Sequence, residues 1–162
     1  MECKKNWHSK ETRVKRVLDT TEYVTVLKEL VNEGKELNVV VAGNSMSPFL
    51  VHERDVIYFK KPDRTLKRGD IVFFQRKNGF YVMHRIWKKK PEGYYIVGDG
   101  QFEIEGPVQE EQIFALITGV CRKGKELGPG NLRWEFFEHI WIRIVPFRKY
   151  LLRFYGKIVK RK

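Results

Sequence analysis

Apolar and small residues near the start of the chain recur at three- and four-residue steps: Val14, Val17, Leu18, Thr21, Val24, Leu27, Leu30 and Val31, with charges between them. That rhythm predicts an amphipathic helix over 12–33, stopped by Gly34. Packing against the following domain is its expected role, since a lone helix of nearly balanced charge makes a poor DNA reader. From residue 38 the texture changes to short segments rich in Val, Ile, Phe and Tyr, at 38–42, 55–60, 70–75, 80–87, 94–98 and 113–121. Pro62-Asp63, Arg68-Gly69-Asp70, Asn78-Gly79, Glu92-Gly93 and Gly98-Asp99-Gly100 punctuate them as turns. Asn78-Gly79 is the clearest hairpin signal and predicts a tight primed turn. The pattern as a whole predicts a mainly β fold, a coiled antiparallel, barrel-like domain.

Beyond this domain the pattern changes twice. Gly124, Gly128, Pro129 and Gly130 mark 123–130 as a linker, and 131–160 reads as a helical tail interrupted at Pro146. Trp134, Phe137, Trp141, Ile144, Leu151, Phe154 and Ile158 form its apolar stripe, beside Arg143, Arg148, Lys149, Arg153, Lys157 and Lys160. Such a stripe suits an amphipathic helix lying at a membrane surface, or a helix packed on the β-domain with a solvated basic face. The aromatic and basic character tips the expectation to the membrane. The expected organisation is therefore a helical segment at 1–36, a β-domain at 37–122, the linker, and a basic amphipathic tail at 131–162.

Charge sharpens this picture. The 162 residues carry a formal net charge of +12, and residues 131–162 contribute nine Lys/Arg against two Glu. An anionic partner is implied: a phospholipid surface, an acidic segment or nucleic acid. Two cysteines, Cys3 and Cys121, make no disulfide framework and fit a reducing compartment. They have no His or carboxylate partners at ligand spacing, so no metal site is expected. No apolar stretch follows the polar segment Met1–Arg16, and no run reaches the ~20 apolar residues of a membrane span. The expected location is cytoplasmic, peripheral on the inner face of the membrane.

The candidate chemistry starts at Gly43-Asn44-Ser45-Met46-Ser47-Pro48, directly after Val39-Val40-Val41-Ala42. A serine between glycine and proline sits on a stiff bend with backbone N–H groups nearby, which suits a nucleophile beside an oxyanion site. By itself the string also reads as a strand end with a Ser/Pro turn. The rest of the chain decides. Arg68-Gly69-Asp70-Ile71-Val72, Val82-Met83-His84-Arg85-Ile86 and Val97-Gly98-Asp99-Gly100 follow in order. Together with the serine string they resemble the successive boxes of the type I signal peptidase and LexA-like serine peptidase superfamily, over about residues 38–122.

The resemblance implies a serine endopeptidase. Ser45 would be the nucleophile and His84 would stand where many relatives carry a lysine, which is similar to the histidine-type branch and its compact stand-alone bacterial members. A histidine side chain titrates near ~6.5 and can accept the hydroxyl proton near neutral pH. Asp99 would orient His84, with Asp70 a lesser candidate for supporting the site. Asp55 reads as a turn or strand-edge residue, and His8, His52 and His139 match no box. Met46 and Pro48 would shape the substrate groove, and the Ser45 N–H would supply part of the oxyanion hole. Gly43 stands where some relatives place a second, hydroxyl donor. Other departures are the missing anchor, the missing large insert between Asp99 and residue 122, and the missing second acid just after Gly98-Asp99. The expected substrate is a peptide precursor, leader or signal-like; no cofactor is implied, and nucleic acid is not the expected partner. Two alternatives stand beside this reading. One is a LexA-like self-cleaving regulator, for which Ala42-Gly43 lies too close to Ser45. The other is a non-catalytic protein that uses its basic aromatic tail on lipid or nucleic acid.

Overall fold

The structure, a computed structural model, describes residues 20–150. Helix α1 (Thr20–Asn32) is followed by strands β1 (Leu37–Val40), β2 (Asp55–Lys60), β3 (Ile71–Gln75), β4 (Tyr81–Lys90), β5 (Gly93–Val97), β6 (Glu105–Val108), β7 (Ile113–Arg122) and β8 (Lys125–Leu127). The short helix α2 (Leu132–Glu135) then runs into a π-helical turn at Phe136–Ile140 and a 3-10 segment at Trp141–Phe147. The strands form one antiparallel sheet in the order β1-β2-β7-β3-β4-β5-β6, with β8 added to β7. The six strands expected from the sequence are all present.

Alternation along the strands builds two cores. Ile57 and Phe59 of β2, Ile71 of β3, and Ala115 and Ile117 of β7 face the first, which α1 covers with Val24, Leu27 and Val31. Val72 and Phe74 of β3, Ile86 of β4, Ile96 of β5 and Leu116 of β7 face the second. Neighbouring residues on one strand thus serve opposite faces, as the pleat requires. α1 ends at Gly34, with Lys35 N–H donating to the Leu30 carbonyl at 3.1 Å. The part of the expected helix before Thr20 lies outside the described residues.

Several features differ from the sequence reading. The sheet does not close into a barrel, because β1 and β6 are its two ends and do not pair. Trp134, Phe137 and Trp141 instead join Phe49 in filling the first core. The Asn78-Gly79 loop is not a primed turn: only Gly79 has positive φ (87°), and Gly79 N–H and Arg76 N–H close it onto Arg76 and Phe80 carbonyls. Primed type I′ geometry needs two positive-φ residues. It appears at Lys123 (φ 50°) and Gly124 (φ 78°), between the paired Arg122 and Lys125. The expected linker is therefore largely a β-hairpin. β6 went unforeseen because Gly106-Pro107 interrupts its strand signal.

The tail differs as well. In the described part, the stripe residues Trp134, Phe137 and Trp141 are buried in the first core, so this face is a packing face. Leu151, Phe154 and Ile158 lie outside the described residues. Among those described, no helix is long and apolar enough to cross a membrane.

Candidate active site

The serine string leaves the end of β1 and wraps over the sheet, with Met46, Phe49 and Leu50 fully buried as its anchors. Arg122 fixes its far end by donating to the Phe49 carbonyl, while its guanidinium binds both oxygens of Asp55 at 2.9 and 2.8 Å. Asp55 is thus a scaffold residue. Burial alone would raise its carboxyl, but hydrogen bonds from Arg122, Arg54 and Val51 N–H outweigh that and bring it down to about 2. His52 is a second clamp: its Nδ1 accepts from Gly43 N–H at 3.2 Å, and its Nε2 lies 3.5 Å from Glu53.

The serine itself rests on the turn after β5. Gly100 N–H donates to the Ser45 carbonyl at 2.8 Å. A Cβ at Gly98 would lie 2.5 Å from that same oxygen, and one at Gly100 2.7 Å from the Ser47 carbonyl. Both positions therefore exclude every larger residue from the present geometry, because real Cβ atoms do not approach so closely. Asp99, between them, does not face His84. Its carboxylate binds Arg85 Nε at 3.0 and 3.2 Å and Nη2 at 2.8 Å, with both side chains fully buried. Arg85 also donates to the Gly69 carbonyl at 2.7 Å and lies 5.0 Å from the Phe49 ring centroid. Arg148 stands 3.9 Å from Asp99 and donates to the Gly98 carbonyl at 2.9 Å. Burial draws the Arg148 guanidinium down to about 10 against the opposing pull of Asp99. Trp141 Nε1 donates to the Asp99 carbonyl at 2.9 Å. The Gly98–Gly100 turn is thus held by a buried charge network whose product is the seat of Ser45.

His84 is 1% exposed and lies opposite Val72 on β3, with its ring 6.2 Å from that of Phe74. Like Val82 and Ile86 it faces the second core. Its Nδ1 lies 2.8 Å from Glu105 Oε1, so Glu105 on β6 is the acid at the imidazole. Arg76, from the β3–β4 loop, grips Glu105 with Nε at 2.6 Å and Nη2 at 2.8 Å. Burial pushes the Glu105 carboxyl up, yet hydrogen bonds from His84 and Arg76 prevail and hold it at about 2. Glu105 is therefore a carboxylate across the neutral range. The sequence reading missed it by looking for an acid nearer Gly98-Asp99. The available signal was that Glu105 is one of two acids, with Glu103, in the loop that follows.

The register Arg85↔Val97 leaves Gly98 next in line opposite His84, and Ser45 sits on Gly98. The serine loop and the histidine strand thus converge on this turn. Ser45 and Met46 also line a groove of about 270 Å³, with Val39, Phe73 and Met83 among its apolar walls and Tyr23, Val24 and Leu27 of α1 on one side. His84 and Pro48 are not among its lining residues. Asp70 supports the β3 start: Arg64 binds both its oxygens at 2.8 Å, and Lys67 N–H donates to it at 2.8 Å. Among the described residues, the one group of three or more His, Cys or carboxylate side chains close enough to share an ion, Glu135, Glu138 and His139, lies on the C-terminal segment and is engaged by Trp134, Lys67 and its own members.

No curated protein and no solved structure matches the chain. A family model described as Peptidase S24-like matches residues 9–101, more than half of the sequence, a stretch that contains Ser45, His84 and Asp99 and stops short of Glu105. The chain belongs to the Peptidase S24-like family, within the superfamily of LexA-like and signal-peptidase-I-like serine peptidases.

Proposed function

We propose that this protein is a serine endopeptidase acting on an extended peptide precursor, with Ser45 as nucleophile, His84 as general base and Glu105 as the acid that orients it. The observation that carries this reading is the arrangement around Gly98: Ser45 seated on it, and next to it a buried histidine whose Nδ1 lies 2.8 Å from a clamped carboxylate. With Nδ1 turned to Glu105, Nε2 is the nitrogen left for proton transfer. Ser45 Oγ attacks the scissile carbonyl carbon while Nε2 takes the hydroxyl proton. The tetrahedral oxyanion forms beside the Ser45 N–H, and its collapse passes that proton to the departing amine, leaving an acyl-enzyme. Water then attacks the acyl carbon, His84 again removes the proton, and Ser45 is released. Glu105⁻ stabilises the imidazolium formed in both steps.

The groove suits an extended apolar segment. β1 is an end strand of the sheet and leads directly into the serine loop, so a peptide pairing with its outer edge would run toward Ser45. Leader-type precursors, with short apolar segments before the cut, fit that surface. His52 is a poorer base, because Nδ1 already accepts from Gly43 N–H and Nε2 faces Glu53.

The test is mass spectrometry of a diverse peptide pool incubated with wild type, Ser45→Ala, His84→Ala and His52→Ala. Cleavage by wild type should fall at least ~10³-fold in the first two and survive in the third. Cleavage that persists in Ser45→Ala would remove this mechanism. An inert wild type would favour the non-catalytic reading.

A further inference from the structure

The C-terminal segment has two apolar faces, and the protein's own core uses only one. Trp134, Phe137, Trp141, Ile142 and Val145 are buried against the sheet and the serine loop. On the other side run Leu132, Phe136, Ile140, Phe147 and Tyr150, exposed by 89, 41, 54, 65 and 70%. Arg143 is exposed between Ile140 and Phe147, so this one short segment carries five exposed large apolar side chains interleaved with cations. Exposed apolar side chains scattered singly need no explanation, but several large ones gathered on one short segment mark a contact surface.

Charge says what it contacts. Arg133, Arg143 and Lys149 are exposed along the segment, and among the described residues no carboxylate is paired with any of them. The two acids of the segment are engaged elsewhere: Glu135 by His139 at 3.0 Å and Gly130 N–H at 2.7 Å, and the buried Glu138 by Lys67 at 2.9 Å and Trp134 Nε1 at 2.6 Å. Residues 151–162 add five Lys/Arg and no acid. A two-fold contact with a second copy would set these cations against their own equivalents. An anionic phospholipid surface instead accepts the apolar side chains between its headgroups and offers each cation a phosphate.

We propose that this exposed apolar set, from Leu132 to Tyr150, docks the protein on an anionic bilayer surface. The opposite side of the same segment holds the Asp99 carbonyl through Trp141 and the Gly98 carbonyl through Arg148, so docking brings the Ser45 turn to the membrane. The proposal does not depend on catalysis, and Ser45→Ala should bind as wild type does.

The experiment is co-sedimentation of the full chain with phosphatidylcholine vesicles, with and without phosphatidylglycerol. The variants are Phe136→Glu/Ile140→Glu and Arg133→Gln/Arg143→Gln, all at exposed positions, with thermal unfolding confirming that each folds. Wild type should bind the anionic vesicles and not the neutral ones, and each double variant should weaken binding at least about tenfold. Absence of binding by wild type, or binding that neither variant changes, overturns the proposal. So does a dimer that Ile140→Glu dissociates in the absence of any vesicle binding, since those side chains would then belong to the contact with a second copy.

Discussion

Two carboxylates near the site do different work, and their surroundings say which. Asp99 is fully buried against Arg85, so its removal leaves a guanidinium in the core without a counter-charge. Asp99→Ala should cost about 3–5 kcal/mol of stability, read by urea denaturation. Glu105 is partly exposed and touches the imidazole. Glu105→Gln should keep a cooperative melting transition at neutral pH, at a somewhat lower temperature because Arg76 loses its charged partner, while lowering kcat about 10- to 100-fold, because the carboxylate beside the imidazole is gone. A variant pair with the opposite pattern would return the orienting role to Asp99. Gly98 tests positioning separately. Gly98→Ala forces its new methyl against the Ser45 carbonyl, and kcat should fall by about 100-fold with the fold retained.

At the scale of elements, the C-terminal segment is a structural member of the peptidase domain. Trp134 and Phe137 meet Phe49 at ring-centroid distances of 5.7 and 4.9 Å, and Arg148 is fully buried. Removing these side chains opens the first core beneath the serine loop, and each large aromatic lost from a core costs about 3–5 kcal/mol. A chain ending at Gly130 should therefore lose its cooperative unfolding transition and its near-ultraviolet circular dichroism. If that chain melted like the full one, the segment would be an appendage after all. β7 is the other organising element, since it pairs with β2, β3 and β8 and carries Arg122, which ties the serine loop to Asp55.

For the whole molecule the paired carboxylates set the acid limit. Asp55 and Glu105 are both held at about 2, below their unfolded values near ~4. Their contribution is fully present above the unfolded values and is lost as pH falls through the folded ones. Stability should therefore drop between pH ~4.5 and ~2, with Asp55 accounting for roughly 2 kcal/mol of it. Asp55→Asn should start from lower stability at pH 6 and show a flatter profile across that window, measured by urea denaturation at each pH. An equally steep profile in the variant would put the acid limit elsewhere. The net charge of +12 adds self-repulsion in the same direction.

The mainly β fold, the family boxes and most strand positions were legible in the sequence. Each is written in contiguous residues: an alternating run, a turn dipeptide, a short motif between glycine and proline. Local chemistry and period are enough for these. The partners were not legible. Whether His84 meets Asp99 or Glu105 depends on how β4, β5 and β6 are paired, and the β5–β6 register shifts between Tyr94 and Ile96. A shift of one residue turns a side chain to the other face. The C-terminal stripe was legible as apolar, yet that segment is apolar on both sides, so periodicity could not choose the buried one. Only the tertiary structure decided, because the face that carried Trp134, Phe137 and Trp141 fitted the gap beside Phe49 and left the other to solvent. Period is a property of one segment; register and burial are properties of the segments it meets.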